Sequence, residues 1–297
     1  MSVIDRRDFV KSLSVAVGSA AFAGSSVMAE AKEKADKSSA QSNYEVFALK
    51  YAGPLDRPGA MTFFHQGYKD VIQIHYYIWA IRAGNGETTL VDTGLGSNLG
   101  PKFNGFVPAH QVAARLGIKP EQVTRVVITH MHFDHVGGME DFPKAYPNAK
   151  FYIQKKEFDF WVNSPLSQRP PYKQFRYDPG IKAVADLANT KRLAIVNGDH
   201  FIGPNMELLL VPGHTPGLQG VLIPTAKGQT IVGSDCAHLF RSYKEDNPSG
   251  LITDLPGWLV SYDKLRAKAP VENMFPGHDV KMLTDFPKVA DDITQLA

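Results

Sequence analysis

His130-Met131-His132-Phe133-Asp134-His135 runs straight into Val136-Gly137-Gly138 and places four metal-binding side chains within six residues. The apolar stretch before it, Thr124 to Thr129, reads as a buried strand, so His130 stands at a strand's carboxyl end. Residues two apart on an extended segment project to the same side, which lets His130 and His132 share one ion. Asp134 and His135 lie beyond that segment and reach a second. A single histidine is usually an ordinary buried or surface imidazole, but a cluster at this spacing is a specific signal.

Three more candidates each follow an apolar run: His214 in Pro212-Gly213-His214-Thr215-Pro216-Gly217, Asp235 in Gly233-Ser234-Asp235-Cys236, and His278 in Pro276-Gly277-His278-Asp279. Zinc takes about four N or O donors, with one position left to water in a catalytic site. Seven donors therefore suit two Zn²⁺ sharing a carboxylate, and Mn, Co or Fe would suit the same set. Two dications against Asp134, Asp235 and a bridging hydroxide leave a centre near about +1, which favours an oxyanion developing on substrate. Coordination lowers the pKa of water from about 15.7 to about 7, so no serine or cysteine nucleophile is needed. The expected chemistry is metal-assisted hydrolysis of a small-molecule substrate.

Residues 1–29 read as a twin-arginine signal peptide: Asp5-Arg6-Arg7-Asp8-Phe9-Val10-Lys11, a small-residue stretch from Leu13 to Ala29, and a cleavage point after Val27-Met28-Ala29. Those 17 residues from Leu13 are too short and too polar for a comfortable membrane span. Recognition by the twin-arginine export machinery, a periplasmic location and no stable membrane association after cleavage are therefore expected. Residues 30–43, charged and Ser-rich, read as a disordered linker, and residues 44–297 as one hydrolase domain. The formal net charge of +2 argues against nucleic-acid binding, which needs a strongly basic face, and the composition is compatible with a homodimer. Cys236 is the only cysteine, so no internal disulfide forms; it reads as a small core residue.

Strands are expected over Tyr44–Lys50, Val71–Arg82 and Thr88–Asp92, with a helix over Val107–Leu116 ended by Gly117. Lys150–Ile153 reads as a strand, Lys155–Trp161 as a helical turn, and Ser164–Pro179 as a surface excursion or lid. Further strands lead into His214, Asp235 and His278, with a helix over Pro256–Lys268. Ligands at strand ends with helices between describe an α/β fold, two stacked mixed sheets flanked by helices with the site where the sheets meet.

The hexapeptide and its Gly-Gly, with Val91-Asp92-Thr93-Gly94 before it and the later His, Asp and His, resemble the metallo-β-lactamase superfamily, whose fold is an αββα sandwich. The resemblance implies His130, His132 and His214 as ligands of the first metal, Asp134, His135 and His278 as ligands of the second, Asp235 as the bridge, and Asp92 as a supporting carboxylate. It is closest to the N-acyl-homoserine lactonase branch, through Tyr76-Tyr77-Ile78-Trp79, the stretch from Asp235 to Glu245, and Phe275-Pro276-Gly277-His278-Asp279. There is also similarity to exported methyl-parathion-hydrolase-like enzymes, in Tyr146-Pro147-Asn148-Ala149 and Glu157-Phe158-Asp159-Phe160-Trp161.

Where lactonases carry a Tyr three residues past the bridging Asp, this chain has His238, expected on a loop over the cleft as hydrogen-bond donor to a carbonyl oxygen. Tyr243 is the fallback donor, and Asp134 a ligand that also shuttles a proton to the leaving alkoxide. The expected activity is opening of a lactone or related ester by a metal-bridging hydroxide. Phosphotriester hydrolysis is the alternative, followed by a mononuclear iron thiol dioxygenase.

Overall fold

The computed structural model describes residues 44–297, so the expected signal peptide and linker lie outside the described residues. Among the described residues thirteen strands form two sheets. The first contains β1 (Glu45–Pro58), β2 (Val71–Arg82), β3 (Thr88–Val91), β4 (Val123–Val127), β5 (Lys150–Gln154), β6 (Leu193–Val196), β12 (Lys288–Ala290) and β13 (Ile293–Gln295), in the order β12-β13-β1-β2-β3-β4-β5-β6. The second contains β7 (His200–Gly203), β8 (Met206–Leu210), β9 (Gln219–Thr225), β10 (Gly228–Ser234) and β11 (Met274–Pro276), in the order β11-β10-β9-β8-β7. Both sheets are mixed. β3, β4, β5 and β6 run parallel to one another in the first, and β10 pairs parallel with β11 in the second, the remaining pairs being antiparallel.

Alternation along each strand decides the layering. Val46, Ala48, Tyr77, Trp79 and Ile81 of the first sheet meet Leu208, Val221, Ile223 and Val232 of the second in one buried cluster between the sheets. Their neighbours Phe47, Leu49, Tyr76 and Ile78 face outward under helices Ala109–Arg115 and Asp178–Ala188, which contribute Val112, Ala113, Val184 and Leu187. On the far side, Leu209, Leu222 and Ile231 pack against Trp258, Tyr262 and Leu265 of helix Leu255–Arg266. Strands buried on both faces read as near-continuous apolar runs, which is how β2 and β9 look in the sequence. The result is the expected αββα sandwich. Among the described residues no helix is long and apolar enough to cross a membrane.

Several elements differ from expectation. β1 continues past Lys50 to Pro58, pairing with β2 through two register shifts around Ala52 that carry the strand past Gly53 and Pro54. Helix Asp178–Ala188 and strands β6, β7, β12 and β13 had no counterpart in the sequence reading. The excursion beginning at Ser164 is folded rather than irregular, with short helical turns at Pro165–Gln168 and Pro170–Lys173. Arg176 pins it by donating to the Trp161 carbonyl at 2.9 Å and pairing with Asp178 at 2.7 Å.

Candidate metal centre

All seven expected donors meet in one place. The hexapeptide leaves the end of β4, and a helical turn starting at Phe133 swings Asp134 and His135 away from His130 and His132. His214 follows β8, Asp235 follows β10 and His278 follows β11, so both sheets contribute. The donors gather in overlapping sets within reach of a single ion: His130, His132 and His214; His130, His135 and Asp235; Asp134, His135 and His278. All seven are buried. Asp235 is central: its Oδ2 lies 3.4 Å from His214 Nε2 and 3.2 Å from His278 Nε2, and its Oδ1 lies 3.5 Å from His135 Nε2. Gly277 permits this, because a Cβ there would collide with Asp235 Oδ1.

The hydrogen bonds fix which nitrogen points inward. His214 Nδ1 donates to the Leu251 carbonyl at 2.8 Å and His278 Nδ1 to the His75 carbonyl at 2.9 Å. A carbonyl only accepts, so in the neutral rings the bare lone pair sits on the inward Nε2. His135 Nδ1 is held by Asp92 Oδ2 at 2.8 Å and His130 Nδ1 by Thr129 Oγ1 at 3.0 Å. His132 instead turns Nδ1 inward, 3.0 Å from His214 Nε2. Anchoring of the distal nitrogen is the usual support of a metal-binding histidine. Asp92 (φ +67°) and Ser234 (φ +47°) hold left-handed backbone conformations beside the centre, a strain that side chains rarely accept elsewhere.

Electrostatics agree with a cation-binding role. Burial, together with the neighbouring imidazoles, holds His130 and His132 well below the ordinary histidine value, and burial takes His214 down to about 3. Burial opposes ionisation of Asp235, yet His278, His135 and His238 around it hold its carboxyl well below the usual range. Burial would lower His135 too, but Asp134, Asp235 and Asp92 together push it well above its ordinary value, so this position favours positive charge. His130 Nε2, His135 Nε2 and Asp235 Oδ1 are buried with no hydrogen-bond partner. Such atoms are costly to bury unsatisfied, and divalent ions among them would remove that cost, so the donor set fits the metals.

His238 is not on an open loop. It is 1% exposed, its Nε2 lies 3.3 Å from Asp235 Oδ2, and its ring stands between those of His214 and His278 at 5.3 Å from each. Neither ring nitrogen makes a hydrogen bond, and with His214 and Asp235 the ring forms a fourth donor set within reach of a single ion. Tyr243 is fully buried. Its ring lies in the apolar layer with Tyr262 and Trp258 under the second sheet, because helix Phe240–Glu245 turns it toward Gly233, where it leaves no room for a Cβ. Cys236 is buried in the same layer, as expected.

A cavity of about 230 Å³ adjoins His132 and His214. Pro171, Tyr172 and Phe175 of the lid form one wall and Leu251 and Ile252 the other. Phe133 lies half-buried with its ring 6.1 Å from that of Phe103.

The sequence pattern of the metallo-beta-lactamase superfamily matches residues 74–278. An N-acyl homoserine lactonase of Bacillus cereus is 29% identical over 174 residues, which is 57% of this chain and 61% of that protein. The match thus spans less than two thirds of that relative's length. The N-acyl homoserine lactonase AiiA of Bacillus thuringiensis subsp. kurstaki is 25% identical over 203 residues, 67% of this chain and 73% of AiiA. Among solved structures, a quorum-quenching N-acyl homoserine lactone lactonase superposes with a TM-score of 0.67 at 18% identity, covering 84% of this chain and 97% of the other. The dizinc quorum-quenching lactonase AidC superposes with a TM-score of 0.65 at 22% identity, covering 81% and 89%. At these identities the superpositions establish the fold.

Proposed function

This chain belongs to the metallo-β-lactamase superfamily, and we propose that its centre holds two zinc ions and hydrolyses a lactone or related carboxylic ester. The observation that carries the reading is the convergence on one small volume of buried donor atoms of His130, His135 and Asp235 that make no hydrogen bond. His130, His132 and His214 would hold one ion, Asp134, His135 and His278 the other, with Asp235 between. When bound, the ions supply hydroxide at neutral pH and polarise the oxygen of the bond to be cleaved.

The chain's own residues would do the rest. Burial lowers His238 to about 4, so at neutral pH the ring keeps one N–H and one lone pair. It donates to the carbonyl oxygen as that oxygen becomes negative. Asp134, whose Oδ2 lies 3.5 Å from His135 Nε2 and 3.7 Å from His278 Nε2, would take the proton left on the attacking oxygen and pass it to the leaving alkoxide. The cavity between lid and Leu251 takes the apolar part of the substrate and excludes water from it. The lactone is preferred because the curated relatives are N-acyl homoserine lactonases. Arg6-Arg7 supports export of the folded, metal-loaded protein by the twin-arginine route to the periplasm.

Metal analysis combined with a panel of lactones, carboxylic esters, phosphotriesters and β-lactams tests the proposal. Two zinc ions per chain with lactone or ester turnover are expected. One iron with oxygen consumption, or bound metal without turnover on any of the four classes, overturns it.

A further inference from the structure

Glu157 contributes nothing to the donor set, yet it is fully buried on the short helix Lys155–Phe158 that follows β5. Four hydrogen bonds end on its carboxylate, none from a charged group. Oε1 accepts from Met131 N at 2.9 Å and Trp161 Nε1 at 2.6 Å, and Oε2 from Thr215 Oγ1 at 2.8 Å and Gly217 N at 2.9 Å. Met131 lies between the ligands His130 and His132, and Thr215 and Gly217 lie one and three residues past the ligand His214. One oxygen therefore holds one ligand loop and the other oxygen holds the second.

Two further contacts tighten the arrangement. Trp161, drawn in by Oε1, sets its ring edge-on to that of His132, 5.4 Å away at 82°. Gly217 approaches so closely that a Cβ there would collide with the Glu157 backbone. An apolar side chain would fill this space without the desolvation cost, which here pushes the Glu157 carboxyl up to about 7 against all four hydrogen bonds. What only a carboxylate offers is four acceptor directions shared between two loops.

We propose that Glu157 is a positioning residue for the first-metal half of the centre: its two oxygens set the separation of the loops bearing His130, His132 and His214, and with it the affinity for the ion they share. The proposal rests on the two-metal reading above but not on the identity of the substrate. It also extends to Thr215, whose hydroxyl acts only through Glu157.

The test uses the full-length purified protein, stripped and reloaded with zinc, then equilibrated against a graded series of chelator concentrations. Zinc per chain is read alongside the melting temperature of the metal-free form. Glu157→Gln, which turns an amide N–H₂ toward two donors, should weaken one of the two ions at least tenfold and leave the other unchanged. The ion lost should be the one also lost in His132→Ala. Thr215→Val, which removes one donor at constant volume, should shift the same ion in the same direction by less, and it decides the matter if Glu157→Gln does not fold. Equal weakening of both ions in step with the metal-free melting temperature, or unaltered release of both, overturns the proposal alone. A wild-type protein that takes up no zinc overturns the metal centre and the proposal together.

Discussion

Asp92 and His135 meet at 2.8 Å, Oδ2 to Nδ1, while the other Asp92 oxygen accepts the Thr129 backbone N–H at 2.7 Å and the Thr129 hydroxyl at 2.8 Å. A residue just past β3 thus steers a ligand that leaves β4, and at the same time ties down the residue before His130. One carboxylate, on a residue with left-handed backbone, therefore bridges the two segments.

Replacing Asp92 by Asn keeps the shape but turns one acceptor into a donor, against either His135 or Thr129. Loss of such a partner typically weakens metal affinity by about 10–100-fold. Chelator competition should show that loss for one ion first. Wild-type affinity would reduce Asp92 to a turn residue.

His238→Phe fills the same space without a nitrogen. If the ring donates to the developing oxyanion, its removal should cost about 2.7–4 kcal/mol in turnover, roughly a 10²–10³ fall in kcat, with both metals still bound. His238→Tyr should restore part of it by supplying a hydroxyl. An unchanged kcat in the Phe variant would leave the ring as packing.

Donors from the ends of strands in both sheets mean that bound ions fasten one sheet to the other. A ligand present at about a thousandfold over its Kd adds roughly 4 kcal/mol of stability. At about 2–4 °C per kcal/mol for a domain of this size, stripping metal should lower the melting temperature by roughly 8–16 °C. Calorimetry with and without chelator reads this directly; coincident curves would show that the centre is indifferent to its ions.

The gathering of the donors was legible because it depends on local facts: residue type, spacing of two along an extended segment, and a strand before each donor segment. The sandwich followed from those strand ends. Helix Asp178–Ala188 was missed although Ile181, Val184 and Leu187 repeat at the right interval, because the Pro- and Arg-rich stretch before it reads as loop and masks the start. Strand β13 was missed for a different reason. Ile293–Gln295 is too short to announce itself, and it joins the sheet through Phe47–Leu49, nearly the whole domain away, with the equally short β12 on its other side. The burial of His238 and the four-way acceptance by Glu157 likewise depend on loops brought together by tertiary packing. Spacing along the chain carries no trace of them.

Tyr172 stands in the lid wall of the cavity with its ring 5.0 Å from Phe160. Tyr172→Ala removes apolar contact worth roughly 1.5–3 kcal/mol when fully buried by substrate. KM for esters with long apolar groups should rise by about 10–100-fold, with little change for the smallest ones. Equal effects on large and small substrates would place binding elsewhere.

Changing Arg6 and Arg7 to Lys should leave unprocessed precursor in the cytoplasm, because the twin-arginine route reads the guanidinium pair rather than charge alone. Fractionation followed by immunoblotting checks it. Undiminished periplasmic recovery would point to another route.

The cavity walls at Pro171–Phe175 and Leu251–Thr253 belong to segments that supply none of the metal donors. They are nevertheless tied to the donors: the Leu251 carbonyl holds His214 Nδ1 at 2.8 Å, and the Phe175 carbonyl accepts the backbone N–H of Phe133, which stands between His132 and Asp134. An exchange in the wall at either place therefore also disturbs the aim of a donor, so the shape of the cavity and the geometry of the centre cannot be altered one without the other.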